Sequence, residues 1–140
     1  MNISTLYSEV YENFLEKVTD YGYISLTDAE IDAQLKIYLK SAIQKFLNYC
    51  EQDLTDRNDT TATFNITLTD EEIEILAMFM VLGWLNPQVN SQQLLKEKFG
   101  NRDYNTFSSS NLLKEMKDLK KEITGEVNDM LTVYYYASIS

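Results

Sequence analysis

The sequence predicts an all-α, single-domain bundle of about five helices, with one extended or β-hairpin-like loop near residues 54–68. Three observations predict it. Four glycines and one proline in 140 residues are too few for a fold of many tight turns. Leu, Glu, Lys, Gln, Ala and Met, which lose little freedom on entering a helix, are plentiful. Apolar side chains also recur at three- and four-residue steps through most of the chain, the period of a helix with one buried face. No linker, repeat or low-complexity tract divides residues 1–140, and a chain of this size buries roughly two-thirds of its unfolded surface around one core.

Residues 1–26 read as an N-terminal arm or helix, in which Ile3, Leu6, Tyr7, Val10, Phe14 and Val18 keep helical spacing until TDYGYISL breaks it. Thr27 and Glu30 then form a capping box, each side chain taking the other's backbone N–H. Behind it Ile31, Leu35, Tyr38, Leu39, Ala42, Ile43, Phe46, Leu47 and Cys50 make a long apolar stripe, with Leu39 and Ile43 as core candidates. EQDLTDRNDT is polar and turn-rich. After it Ala62, Phe64, Ile66 and Leu68 alternate with Thr61, Thr63, Asn65 and Thr67, a strand's period. A lone strand is not stable, so this segment pairs with itself as a hairpin, pairs with a neighbouring chain, or lies extended over the helices.

Thr69 and Glu72 repeat the capping box, with Asp70 and Glu71 set against the positive end of the helix dipole. Ile75 to Leu85 follows, without a polar side-chain group except the indole of Trp84. A helix with no polar face is covered on all sides, which makes Leu76, Met80 and Trp84 core candidates. The run is too short to cross a membrane, which takes about twenty apolar residues. Pro87 disfavours helical geometry at Asn86 and predicts the helix end there. Ser91 predicts a short fourth helix through Leu94, Leu95 and Phe99 to a stop at Gly100, and NRDYNTFSSS a loop. Ser109 or Ser110 then opens a fifth helix, where Leu112, Met116, Leu119, Ile123, Val127, Met130, Leu131 and Tyr134 keep helical spacing. Leu119 and Ile123 are its core candidates.

The net charge is −10, from 22 acids against 12 bases. Residues 1–74 hold 15 acids and 5 bases, while residues 75–140 hold 7 of each, so the excess lies in the first half. That balance disfavours a binder of double-stranded nucleic acid, whose affinity comes from clustered Lys and Arg. Histidine is absent, which removes the commonest general base and metal ligand. Cys50 is the single cysteine and sits among Phe46, Leu47 and Tyr49, as a small buried apolar residue does. No Gly-rich phosphate loop appears. The expectation is a protein made in the cytoplasm, without catalytic residues, cofactor or metal.

Two acidic clusters remain. In DEEIE, Asp70 and Glu74 share a helical face but Glu71 and Glu72 point elsewhere, so capping explains the acids better than a cation site or a hydrolase. DLTDRND lacks the Gly and terminal Glu of a calcium loop and reads as a solvated loop. Lys114, Lys117 and Lys121, with Lys120 beside them, form a basic face interrupted by Glu115 and Asp118. Ten tyrosines stand out, above all Tyr134, Tyr135 and Tyr136, because Tyr suits interfaces where an apolar body is buried and its hydroxyl stays wet. These three, with Phe64 and Ile66 of the extended segment, are candidate interface residues.

LAMFMVLGWLNPQVNSQQLLKEKF, then RDYNTFSSSNLLKEMKDLKKEI and a tyrosine-bearing tail, resemble the small head–tail connector proteins of tailed bacteriophages. The likeness spans Ile31 to Tyr136. It implies a helical virion protein of the neck, forming a homo-oligomeric ring of about twelve copies. It further implies contacts with the portal protein and with neck or tail proteins, DNA passing through the channel without specific binding, and no membrane association. It assigns no individual functional residue. A second expectation, from charge alone, is an acidic DNA-mimic inhibitor of a host nucleic-acid enzyme, presenting the acids of residues 1–74 as a phosphate-like array.

Overall fold

The computed structural model describes residues 4–21, 28–107 and 112–139. Within them lie helices α1 (Tyr7–Tyr21) and α2 (Asp28–Phe46), strands β1 (Arg57–Asn58) and β2 (Thr63–Phe64), and helices α3 (Asp70–Phe107) and α4 (Leu112–Ile139). The described residues are mostly helical, as the sequence predicts, but hold four helices rather than five.

Helix α3 is the axis of the molecule, and α1, α2 and α4 all pack against it. Every residue from Ile75 to Leu82 is buried, followed by Trp84, Leu85 and Val89. Three covering helices therefore explain the run without a polar face. Leu76 and Met80 are fully buried and Trp84 is 4% exposed. Leu39 and Ile43 from α2 and Ile123 from α4 join the same apolar cluster, while Leu119 packs at its edge half-buried.

The helix end expected at Asn86 is corrected, because α3 runs straight through Pro87. Proline inside a helix removes one backbone hydrogen bond, here the one to the Gly83 carbonyl, at a cost of about 3 kcal/mol. Burial of Trp84 and Leu85 before it and Val89 after it offsets that cost. Gln88 also donates its side-chain N–H to the Trp84 carbonyl at 3.1 Å. The expected stop at Gly100 and loop over Asn101–Phe107 are corrected too, since both lie within α3. A mid-helix glycine costs only about 1 kcal/mol, and once Pro87 fails to break the ladder the expected third and fourth helices become one. The caps expected at Thr27 and at Ser109 or Ser110 fall outside the described residues.

The extended segment pairs within the chain. Arg57 lies opposite Phe64 and Asn58 opposite Thr63 in an antiparallel hairpin. Asn58 Oδ1 accepts from the backbone N–H groups of Thr60 and Thr61, at 2.9 and 3.2 Å, and shapes the tip. The other side of β2 is taken by the chain's own N-terminal segment. Thr5 N–H donates to the Ile66 carbonyl (3.0 Å), Phe64 N–H to the Thr5 carbonyl (2.8 Å), and Tyr7 N–H to the Ala62 carbonyl (2.9 Å). The buried Thr5 hydroxyl accepts from Leu68 N–H at 2.8 Å. Residues 4–6 thus form an arm along the hairpin before α1 begins. The predicted alternation holds except at Thr63: Phe64 and Leu68 are buried, Ala62 and Ile66 partly so, and Thr61, Asn65 and Thr67 face out, while Thr63, bridged to Leu6, is partly buried.

Ala62 closes the hairpin tip with φ of 56°, a left-handed conformation that costs an L-residue about 1–2 kcal/mol. Ala62→Gly relieves that strain but loses a partly buried methyl and gives the unfolded chain more freedom. The expected outcome is a stability gain of up to about 1 kcal/mol, read as a higher urea midpoint at unchanged slope.

Candidate functional site

The second capping box is built as the sequence predicts, and Glu72 carries more than a cap. Thr69 N–H donates to Glu72 Oε1 at 2.8 Å, and Glu72 N–H to Thr69 Oγ1 at 3.2 Å. Glu72 is nevertheless 1% exposed. Its Oε2 accepts the Tyr134 hydroxyl at 2.8 Å and lies 3.5 Å from the Cys50 thiol. The Tyr134 oxygen accepts Glu51 N–H at 2.8 Å in turn. This buried relay clamps the first turn of α3, the segment after α2 and the last turns of α4 to one another. Burial pushes the Tyr134 phenol above its ordinary range, with Glu72 raising it further against the pull of Glu51 N–H.

Burial also pushes the Cys50 thiol up, to about 11, with the charge of Glu72 adding to the effect. A thiol that stays protonated is a poor nucleophile. Because the folded value lies above the ordinary 9.0, the contribution to stability is complete below about pH 9. It is lost as pH rises through about 11. Alkylation of Cys50 by iodoacetamide at neutral pH is therefore expected to be slow in the native protein and fast in urea. Cys50→Ala should remove the part of the alkaline stability loss that begins near pH 9.

A groove of about 190 Å³ lies between α2 and the hairpin. Leu39, Ile43 and Tyr7 supply its apolar lining, and Lys36, Lys40, Arg57 and Asp59 its charged one. Arg57 is held in place, with Nε 3.2 Å from Asp59 Oδ1 and Nη1 donating to the Leu54 carbonyl at 2.9 Å. The Tyr7 hydroxyl donates to the same Asp59 oxygen at 2.5 Å, which holds the Asp59 carboxyl below the usual range. Lys36 and Lys40 are exposed on α2, where helical spacing sets them on one face one turn apart.

Along the outside of α4, Asp118, Glu122, Glu126 and Asp129 are exposed and, with Lys121, border a shallow depression at Gly125. Beyond them the exposed surface turns apolar, through Val133, Tyr135, Tyr136 and Ile139, with exposures of 63, 53, 62 and 62%. The Tyr135 and Tyr136 rings meet edge to face at 5.6 Å. Of the five interface candidates, Tyr135 and Tyr136 are on the surface and Ile66 is half-buried. Tyr134 and Phe64 belong instead to the chain's own core, at 5% and 0% exposure. Tyr134 turns inward because it falls on the stripe of Ile123 and Val127, and packs its ring 5.4 Å from Phe46. Phe64 is the inward residue of β2 and meets Tyr7 at 4.9 Å.

The acidic motifs dissolve into local structure. Asp70 and Glu71 are exposed in the first turn of α3, and Glu74 pairs with Lys17, tying α1 to α3. In DLTDRND, Asp53 accepts from the backbone and hydroxyl of Thr55. Asp56 accepts the Asn65 side-chain amide at 2.9 Å, and Asp59 takes Tyr7 and Arg57. Among the described residues no group of three acids or cysteines is placed to hold a metal ion, and no helix is long and apolar enough to cross a membrane. Lys114, Lys117 and Lys121 are exposed on α4. Lys120 approaches Lys45 of α2, whose ammonium pKa is lowered by burial and then by that neighbouring charge.

Two features were not read from the sequence. The cap at Glu72 was legible from its spacing, but its partner Tyr134 lies 62 residues away. The cationic groove joins residues of α1, α2 and the hairpin that no local pattern connects. Compared with known proteins, the chain matches no family model, no curated protein and no solved structure.

Proposed function

We propose that this chain is a structural adaptor of a tailed-phage neck, assembling with its own copies into a ring between portal and tail around the DNA channel. The observation that carries the reading is the end of α4, where Val133, Tyr135, Tyr136 and Ile139 stand exposed on a helix whose inner face is already committed to the core. Aromatic and aliphatic side chains gathered on one exposed helix end suit association with another protein surface. The sequence likeness to head–tail connectors supplies the setting. Exposed acids suit a channel wall along which DNA slides without adhering, because like charges prevent phosphate contacts.

The test is affinity capture of the tagged full-length chain from cells producing its natural partners, at low and moderate salt, with captured proteins identified by mass spectrometry. Recovery of portal, neck or tail proteins at both salts supports the adaptor. Recovery of a nuclease, polymerase or repair enzyme that is lost as salt rises overturns it in favour of a DNA mimic, since screening weakens a purely electrostatic complex.

A further inference from the structure

We propose that the outer face of α4 in one copy docks into the cationic groove between α2 and the hairpin of a second copy, with Tyr136 as its apolar anchor. The inference deepens the proposed ring and rests on that reading. Asp118, Glu122, Glu126, Asp129, Val133 and Tyr136 follow one another at steps of three and four residues, so they form one continuous stripe along the helix. All six are exposed. Lys121 borders the depression next to Asp118 and Glu122, so the acids stand uncompensated only further along, where Glu122 with Glu126, and Glu126 with Asp129, are like-charge pairs one turn apart that repel each other in an isolated helix. Gly125 sits beside them, and a Cβ there meets nothing within 4 Å. Packing inside the protomer therefore requires neither the glycine nor the run of acids. A cationic surface drawn close along this stripe relieves the repulsion and uses the notch.

The same molecule presents the complement. Lys36 and Lys40 are exposed beside the groove and, among the described residues, enter no ion pair. Arg57, already paired with Asp59, completes the charged lining among the described residues. A cavity of about 150 Å³ holds a benzene ring, so a groove of about 190 Å³ accepts one aromatic side chain. Tyr136 lies beyond Asp129 along the acidic stripe, and the groove combines apolar lining with cations. The two patches differ and sit on different helices; joined head-to-tail, as the proposed ring requires, the contact repeats from copy to copy and closes where the rotation permits.

Sedimentation velocity on the purified full-length chain tests this, using Glu126→Lys with Asp129→Lys as one variant and Lys36→Glu with Lys40→Glu as another. All four positions are exposed, and unchanged thermal melts verify that each variant folds. Each variant alone should self-associate about ten-fold more weakly than the natural chain or worse. An equimolar mixture of the two should recover association, because every junction between unlike copies again pairs opposite charges. Tyr136→Ser should weaken association without altering the melt. A natural chain that stays monomeric, variants that associate as it does, or a mixture that fails to recover, each overturns the docking. If such a result accompanies capture of portal and neck proteins, the adaptor stands and only this interface falls. If the charge swap restores association while no neck component is captured, the interface stands and the adaptor reading falls.

Discussion

Met80→Asp is expected to abolish cooperative folding. Met80 is fully buried near the middle of the apolar run, on the helix that α1, α2 and α4 all cover. An aspartate there leaves an unpaired charge in the core, which costs several kcal/mol, and forfeits methionine packing worth a further ~2–5 kcal/mol. A domain of this size has a total stability of about 5–15 kcal/mol. Expression should give insoluble protein, or soluble material whose circular dichroism melts without a sharp transition. Met80→Leu conserves volume and should cost less than about 1.5 kcal/mol. A soluble Met80→Asp chain with a cooperative melt near that of the natural protein would remove Met80 from the core.

Tyr134→Phe should have the second-largest effect, and Tyr136→Phe almost none. The Tyr134 hydroxyl donates to a carboxylate that is 1% exposed and accepts from Glu51 N–H. Losing it takes the acceptor from Glu51 N–H and leaves Glu72 Oε2 with only the weak Cys50 thiol donor. Hydrogen bonds to charged groups contribute about 1.5–3 kcal/mol, and an unsatisfied buried group costs about as much, so a loss of about 2–4 kcal/mol in urea unfolding is expected. Tyr136 is 62% exposed, where a changed hydroxyl should stay within about 0.5 kcal/mol. Equal effects at the two positions would show that the relay to Glu72 does not hold α4.

The contrast between these neighbouring tyrosines shows what the sequence could and could not reveal. Helical spacing put Tyr134 on the inner stripe with Ile123 and Val127, yet its triplet with Tyr135 and Tyr136 suggested a shared surface role. Periodicity was the better guide, because burial follows the angle around the helix rather than residue type. The capping box at Thr69 and Glu72, the covered run from Ile75 and the alternation from Ala62 to Leu68 were legible because each is local. Pro87 misled for the opposite reason. Its local preference ends a helix, and packing on both sides overrules it. The arm of residues 4–6, the relay to Glu72 and the groove beside Lys40 depend on residues about thirty to eighty positions apart, beyond any window of sequence pattern.

The N-terminal arm has a consequence for the order of events during synthesis. Thr5 and Tyr7 find their backbone partners at Ala62, Phe64 and Ile66, which a ribosome adding about 5–20 residues per second reaches some 3–12 s later. The clamp on Glu72 waits longer still, because Tyr134 belongs to α4, which is made after α1, α2 and α3. Vectorial folding from the first residue onward is thus closed to this chain. α1 and α2 emerge with their apolar faces uncovered until α3 follows, and the side of α3 that faces α4 stays bare until α4 arrives. Stalled nascent chains ending before residue 112 should accordingly be cut readily by protease, and released full-length chains should resist it.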